Sequence, residues 1–368
     1  MTPIDSRARR AVQTLGGYRP GTPVEEVKRR LGLRSVIKLA SNENALGPSP
    51  KALAAMRRAA GSVHRYPDAT CCLLRQALAR HLRVRPDSIL VGNGSDELLV
   101  LALRAFIEPG DEVLISRPTF LIYELQATAC GARVRVVPSR GYRYDLPAMR
   151  RAVTARTKLV FIANPDNPTG TYVTRAELAA FLRGLPRRVI TVVDEAYYEF
   201  VDARDYPQTI PWRARHPLLI TRSFSKAYGL AGVRVGYCVA QPSLIRALDA
   251  VREPFNVNSL AQAGAAAALK DRAFLQRTRA LTRQGRRYLT QELARLGLEA
   301  VPSVTNFLLI KIGPRAAAWA QRLLRQGVIV RDMRAWELAG YLRVTVGTMP
   351  ENRRFVHALH RTLREGTR

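Results

Sequence analysis

Lysine is scarce in this chain. Of 59 Lys and Arg residues only seven are lysines: Lys28, Lys38, Lys51, Lys158, Lys226, Lys270 and Lys311. Cysteine is scarcer. Cys71, Cys72, Cys130 and Cys238 form no CxxC pair, and the adjacent Cys71–Cys72 would make a poor crosslink. A disulfide framework is excluded, and a reducing compartment is the simpler inference. Acidic residues number 29, which leaves a formal charge of +30. Such an excess suits nucleic acid or an anionic membrane. The arginines are scattered, however, with no long basic block, zinc finger or RNP-type aromatic motif. An arginine-biased composition that attracts small anionic ligands accounts for the charge better. No apolar run approaches the roughly 20 residues of a membrane span. The N-terminus, "MTPIDSRARRAVQTL", has no hydrophobic core and so is no signal peptide. It reads as an amphipathic helix, with a transit peptide as the alternative. A soluble cytoplasmic protein with no membrane or nucleic-acid partner is expected.

What is present is a core. The chain has 368 residues and is 47% hydrophobic, enough for one large domain or two that pack together. Short β-rich runs alternate with helical patterns through the middle. Strands are expected at 88–94, 111–116, 133–137, 158–164, 188–195, 218–223 and 234–240. Helices are expected at 96–106 and at 174–185, where Thr174 and Glu177 form a capping box. This rhythm predicts an α/β fold with a mainly parallel sheet and helices on both faces. Near-continuous apolar strands fit burial on both sides. After about residue 255 the pattern changes to a helix-rich stretch (259–298), strands at 306–312, 328–332 and 341–347, and helices at 315–326 and 350–364. The expected division is an N-terminal segment (1–45) packing with a smaller α+β domain (259–368), and a large domain between them (46–258).

Polar residues gather just past the expected strand ends, where open α/β sheets bind ligands. "GNGSDE" (92–97) turns into a helix N-terminus whose free N–H groups suit a phosphate. Glu97 stands where a dinucleotide fingerprint needs its third glycine, which argues against NAD. "NPDNPTG" (164–170) is a rigid loop able to hold an Asn side chain still. Asp194 ends one strand, with Tyr197 three residues on; a lone Asp-x-x-Tyr is more often structural. Ser223, Ser225 and Lys226 end another, and Arg234 follows. A cofactor with a phosphate, a basic ring nitrogen, a phenolic oxygen and an aldehyde would use all of these, and pyridoxal 5'-phosphate (PLP) is such a cofactor. Its aldehyde requires an amine that can lose its proton, which a guanidinium does not. That explains a lysine at 226 in an arginine-rich chain.

The chain here resembles the fold type I PLP-dependent aminotransferases, and within them the histidinol-phosphate aminotransferase branch. The matching motifs run nearly end to end: "VIKLASNENALGPSP" (36–50), "HRYPD" (64–68), "GNGSDE", "SRPTF" (116–120), "NPDNPTG", "VVDEAYYEF" (192–200), "RSFSKAYGLAGVRVGY", "PFNVNSLAQ" (254–262), "VRD" (330–332) and "YLRVTVGTMPEN" (341–352). The resemblance implies a seven-stranded-type large-domain sheet. It makes Lys226 the Schiff-base lysine and proton shuttle, and Asp194 the partner of the pyridinium nitrogen. Tyr197 and Asn167 become the bonds to the phenolic oxygen, and Phe120 the stacking residue. Ser95, Asp96, Ser223, Ser225 and Arg234 become the phosphate cup. Tyr66 is implied to reach the cofactor of a partner subunit in a homodimer. Arg343, Arg331, Tyr18 and Asn44 become substrate contacts. No metal is implied; His357 and His360 share a helix face but lack a third ligand. The chain departs from the family pattern at Asp166 (commonly Asn), at Ala45 (commonly Pro), and at Cys71–Cys72, near the implied dimer contact.

The implied reaction interconverts histidinol phosphate and imidazole-acetol phosphate, with glutamate and 2-oxoglutarate as the amino donor and acceptor. An aromatic amino acid aminotransferase and a threonine-phosphate decarboxylase-like enzyme are the alternatives. A PLP-binding or nucleic-acid-binding regulator is a third reading. The basic helix at 277–296 reads as solvated and amphipathic, with RNA or membrane contact as the alternative.

Overall fold

The computed structural model describes residues 6–13, 15–17 and 21–365. The strands, in chain order, are β1 (Ile37–Lys38), β2 (Ile89–Gly92), β3 (Glu112–Arg117), β4 (Arg133–Pro138), β5 (Thr157–Ala163), β6 (Ile190–Asp194), β7 (Leu218–Ser223), β8 (Gly236–Val239), β9 (Glu299–Ala300), β10 (Phe307–Lys311), β11 (Val328–Ile329), β12 (Arg331–Asp332) and β13 (Tyr341–Thr345). Seven of them form the main sheet, in the order β2-β8-β7-β6-β5-β3-β4. Strands β3 to β7 run parallel, whereas β8 is antiparallel to both its neighbours. The unbroken apolar runs become the central strands: β6 and β7 are buried at every residue. Edge strand β4 alternates arginine with valine and exposes its arginines.

Local signals agree with this layout. The helix Arg175–Arg183 is closed by the Thr174–Glu177 capping box, with both reciprocal bonds made. The helix Ser95–Phe106 buries Leu98, Leu99, Leu101, Ala102 and Leu103 against the sheet. All four cysteines are free. The helix expected at the N-terminus is short, Arg10–Gln13, and residues 1–5 lie outside those described. Among the described residues, no helix is long and apolar enough to cross a membrane.

A second sheet, β12-β13-β10-β9, is antiparallel throughout. It has its own apolar core, with Leu39, Leu289, Leu308, Trp319 and Phe355. The run "VIVRD" splits. Its first half, β11, pairs in parallel with β1, and its second half, β12, joins β13. The expected boundary at 258/259 separates the helix Ser259–Ala268 from the cluster it packs in. That helix lies against Pro50–Ala60, with Ala261 and Ala265 beside Ala52, Leu74 and Phe224. Its small residues permit the approach: a Cβ on Gly264 would lie 2.9 Å from Met56. The chain passes to the second sheet along the next helix, Arg272–Arg295, whose C-terminal half carries Leu289 and Leu293 into the second core.

One polar contact is built into the main sheet. Glu195, just past β6, is fully buried and faces Arg222 of β7 at 2.8 Å. Thr209 donates to the other carboxylate oxygen at 2.5 Å, and the guanidinium lies 3.4 Å over the Tyr198 ring. Removing one partner of such a pair strands a charge. Glu195→Ala is therefore expected to lower unfolding free energy by about 3–5 kcal/mol in a denaturant titration. A loss below about 1 kcal/mol, the range of an exposed pair, would contradict this account.

Candidate active site

Lys226 follows β7 in the turn Ser223-Phe224-Ser225-Lys226 and is half-buried. Its Nζ donates to the Ser41 carbonyl at 3.3 Å and lies 5.6 Å from the centre of the Tyr197 ring. Around it opens a cavity of about 300 Å³. The parallel strands β5, β6 and β7 deliver Ala163, Asp194 and Ser223 to its wall, and the second sheet delivers Arg331 and Arg343. The cavity thus lies between the two sheets.

Ser95, Asp96, Phe120, Asn167, Asp194, Tyr197, Ser223, Ser225, Lys226, Arg234, Arg331 and Arg343 all line this one cavity. Of the other residues singled out in the sequence, Tyr66 and Asn44 do not, and Tyr18 lies outside the described residues. Tyr66 is 83% exposed and stacks on Phe255 at 4.6 Å, away from the cavity of its own chain. Asn44 is engaged elsewhere. Its side-chain amide donates to the Ala227 carbonyl at 2.9 Å and to Thr278 Oγ1 at 3.1 Å, and its Oδ1 accepts from the Leu46 amide. Asn44 therefore fastens the lysine turn to the long helix and does not line the cavity.

Asn42, two residues earlier, takes the inward place. It is buried in the left-handed conformation (φ 56°), which Asn tolerates. Its amide donates to the Tyr197 hydroxyl at 2.9 Å, and its Oδ1 accepts from Thr345 Oγ1 at 3.1 Å. Asn42 stands within the quoted "SNENALG" run, but nothing in the run says which Asn turns inward.

Asp194 is 5% exposed. Tyr123 donates to its Oδ2 at 2.8 Å, and Thr221 and the Ala196 amide donate to Oδ1 at 3.0 and 3.2 Å. Burial pushes its carboxyl up to about 6, against the pull of the Tyr123 and Thr221 hydroxyls. Thr221 is its direct partner in the β6–β7 register. A threonine amid the apolar run "LLITRS" was the available signal. Tyr123 left none, being an ordinary aromatic position on a helix.

Asp166 is likewise buried, and burial pushes its carboxyl up to about 6. Thr119 and Thr169 donate to it at 2.8 and 2.9 Å, and Tyr144 at 3.4 Å. These hydroxyls explain why a carboxyl is accommodated where Asn is common. Next to it, the Asn167 Oδ1 accepts from Arg343 Nη1, and Arg343 Nη2 donates to the Ala40 carbonyl.

At the main-sheet wall an anion cup is formed. The twelve-residue helix Ser95–Phe106 begins after Gly94 with no side-chain cap, so its first amides face the cavity uncovered. Arg234 donates to Ser225 Oγ at 3.3 Å and pairs with Asp96 at 3.4 Å. Glycine is required twice here. Gly94 has φ +85°, and a Cβ would lie 2.6 Å from Arg234 Nη2; a Cβ on Gly236 would lie 2.5 Å from the Ser95 nitrogen. The arrangement can hold an anion in this cup, a cationic ring nitrogen on Asp194, and a second anion on Arg331 and Arg343.

The two raised carboxyls carry a pH signature. Unfolded, each ionises near its ordinary value of 3.8; folded, each keeps its proton to about 6. A raised value favours the folded state below 3.8, and that advantage is lost as pH rises to about 6. Stability of the ligand-free protein should fall over this window by about 1.4 kcal/mol per pH unit per group. Asp194→Asn and Asp166→Asn should each flatten the slope by one proton in denaturant titrations. Unchanged slopes in both variants would refute the assignment.

Residues 34–359 match the family model described as "Aminotransferase class I and II". A histidinol-phosphate aminotransferase of Moorella thermoacetica is 46% identical over 359 residues, covering 97% of this chain and 93% of that protein. "Histidinol-phosphate aminotransferase 1" of Nitrosococcus oceani is 47% identical over 355 residues, 96% of each. Among solved structures, histidinol-phosphate aminotransferase from Sinorhizobium meliloti in complex with pyridoxal-5'-phosphate matches with a TM-score of 0.91 at 33% identity, covering 98% of this chain and 99% of that one. Both sheets and every cavity residue named above fall within residues 34–359, and the chain belongs to the aminotransferase class I and II family.

Proposed function

We propose that this chain is a PLP-dependent histidinol-phosphate aminotransferase of histidine biosynthesis, exchanging the amino group between histidinol phosphate and 2-oxoglutarate in the cytoplasm. The observation that carries the reading is Arg331 and Arg343 in one cavity with Lys226 and Asp194. A substrate that offers an amine to Lys226 and a dianion to the two arginines fits that set. Guanidinium forks pair with phosphate or carboxylate, so the same arginines can serve glutamate in the other half-reaction.

The residues fit the cofactor. The cup at Ser95, Asp96, Ser223, Ser225 and Arg234 would hold its phosphate, and the close approach allowed by Gly94 and Gly236 shapes that cup. Asp194, a buried carboxyl with no cation beside it, would hold the ring nitrogen in its protonated form. A positive partner there would bring the carboxyl back down from about 6. Tyr197, oriented by Asn42, and Asn167, oriented by Arg343, would hold the phenolic oxygen. Phe120 would cover the ring, its own plane set by edge contact with Tyr123 at 5.6 Å. When bound, the cofactor supplies an aldehyde that takes up amino groups and a cationic ring that draws electrons from the substrate Cα. Lys226 Nζ would hold the aldehyde carbon at rest and, once displaced, take the proton from Cα and return it.

The chain's division belongs to the same reading. We place residues 46 to about 271 with the cofactor, and the remainder, with the N-terminal segment, in the substrate-clamping part. The cluster holding the helix Ser259–Ala268 supports the later boundary.

Separate half-reactions with histidinol phosphate, phenylalanine and threonine phosphate test the function. Histidinol phosphate should react fastest. Losing one hydrogen bond to a charged group removes roughly 1.5–3 kcal/mol, so Arg331→Leu should lower kcat/KM for histidinol phosphate about 10- to 150-fold and spare phenylalanine. Faster turnover of phenylalanine by the wild type, or equal slowing of both substrates, would leave an aminotransferase of another specificity. Tyr66 and Phe255 form an exposed aromatic pair, 83% and 41% accessible. Tyr66 is assigned to the cofactor of a second subunit. Sedimentation should therefore find a two-fold dimer, and a monomer of full specific activity would overturn the assignment.

A further inference from the structure

Arg331 and Arg343 are direct partners across the antiparallel β12–β13 pair. Side chains so placed have Cβ atoms about 4.5–5.5 Å apart, and like charges there disfavour the pairing. Yet both line the same cavity, and Arg343 is only 6% exposed. The contact common to both is Trp336. It comes from the 3₁₀ turn Arg334–Trp336, is 2% exposed, and also lines the cavity. The Arg331 guanidinium carbon lies 5.1 Å from the Trp336 ring, and that of Arg343 lies 5.7 Å from it. Both are within the roughly 6 Å over which a ring face attracts a cation, and Trp is the strongest such face. Arg343 has a second ring, Phe307, at 5.3 Å.

The indole N–H of Trp336 is buried and makes no hydrogen bond. A buried indole ordinarily finds a partner for that group. Filling space between Val301, Leu309 and Met333 would not require an indole, since an aliphatic side chain leaves no donor stranded. What the indole adds is a large π system within reach of two cations. Its own position is firm. The Trp336 amide donates to the Met333 carbonyl at 2.9 Å, and the next residue, Glu337, pairs with Arg117 at 2.9 Å.

We propose that Trp336 is a specificity-determining positioning residue, whose ring holds Arg331 and Arg343 side by side as one preorganised site for a dianion, and so favours amines bearing a phosphate monoester. The inference rests on the function proposed above and deepens it. A single carboxylate can be served by one guanidinium fork. A phosphate monoester has charge and oxygens for two. Arg343 stays tied to Asn167 and the Ala40 carbonyl, but without the ring the attraction that offsets the pair's mutual repulsion is lost, and each phosphate bound must make up for it. The loss therefore falls on the phosphate substrate and on its binding.

The test uses holoenzyme carrying Trp336→Met, which fills volume without a π face, and Trp336→Phe, which keeps a weaker face and removes only the unpaired N–H. Steady-state rates are measured with histidinol phosphate and with unphosphorylated histidinol, and the Kd of inorganic phosphate by calorimetry. Trp336→Met should raise KM for histidinol phosphate and Kd for phosphate about tenfold, with kcat within about twofold and histidinol unaffected. Trp336→Phe should recover both values to within about two- to threefold of wild type. Equal losses with both substrates, or unchanged phosphate affinity in Trp336→Met, would overturn the proposal. If that variant does not fold, Trp336→Phe decides alone: a two- to threefold loss of phosphate affinity, about the weaker face's deficit, supports the inference, and no loss overturns it. A wild type that binds phosphate through Trp336 but leaves histidinol phosphate unreacted would refute the proposed function and leave this site standing.

Discussion

Two successive carboxyls stand at the end of β6, Asp194 as its last residue and Glu195 just past it, and the alternation of the extended chain sends them to opposite sides. Glu195 turns to Arg222 and Thr209, where its charge is balanced within the protein. Asp194 turns to the cavity, where hydroxyls and an amide surround it but no cation does. Burial costs both. Only the first is offset by an ion-pair partner, and the second has hydrogen bonds alone among the described residues. The neighbouring strand repeats the division: Arg222 faces the ion pair, and Ser223 faces the cavity. The main sheet is thus neutralised on one side and primed on the other.

From that sheet the cavity receives an amine, an anion cup and an acid. Its two further arginines, Arg331 and Arg343, come from the second sheet. Arg343 bridges the two, holding Asn167 of the "NPDNPTG" loop with one nitrogen and the Ala40 carbonyl with another. Asn42 does the same from the N-terminal segment, touching Tyr197 on one side and Thr345 on the other. Cofactor-facing and substrate-facing residues therefore share hydrogen bonds, so the position of one sheet is felt by the other.

The charge of +30 and the site have little to do with each other. Most arginines are spread over the surface, and exposed pairs among them such as Arg85–Asp87 contribute little to stability. A few are buried or half-buried and individually placed. Arg222 is balanced by Glu195, Arg343 meets its acceptors and ring neighbours, and Arg331 lies against the Trp336 ring. Lysine is rare here, and one of the seven, the half-buried Lys226, lines the cavity.

Local chemistry made much of this legible from the chain alone. Apolar runs of strand length marked β5, β6 and β7, a capping box marked the helix Arg175–Arg183, and strand-end motifs marked Lys226, Asp194, Arg234 and Asn167. Each of these depends on neighbours within a few residues, which a sequence displays directly. Long-range partners were not displayed. The inward turn of Asn42 instead of Asn44 was decided by where Tyr197 and Thr345 lie, and the bond from Tyr123 to Asp194 by the packing of a helix on the sheet. The helix Ser259–Ala268 went to the main-sheet side because its small residues meet Met56 closely. Trp336 acquired its role only when β12 and β13 aligned Arg331 with Arg343. The sequence determined which chemical groups the protein owns and the turns that present them. Tertiary structure decided which groups meet, because a contact between residues hundreds of positions apart is set by the packing of whole elements and not by any local preference.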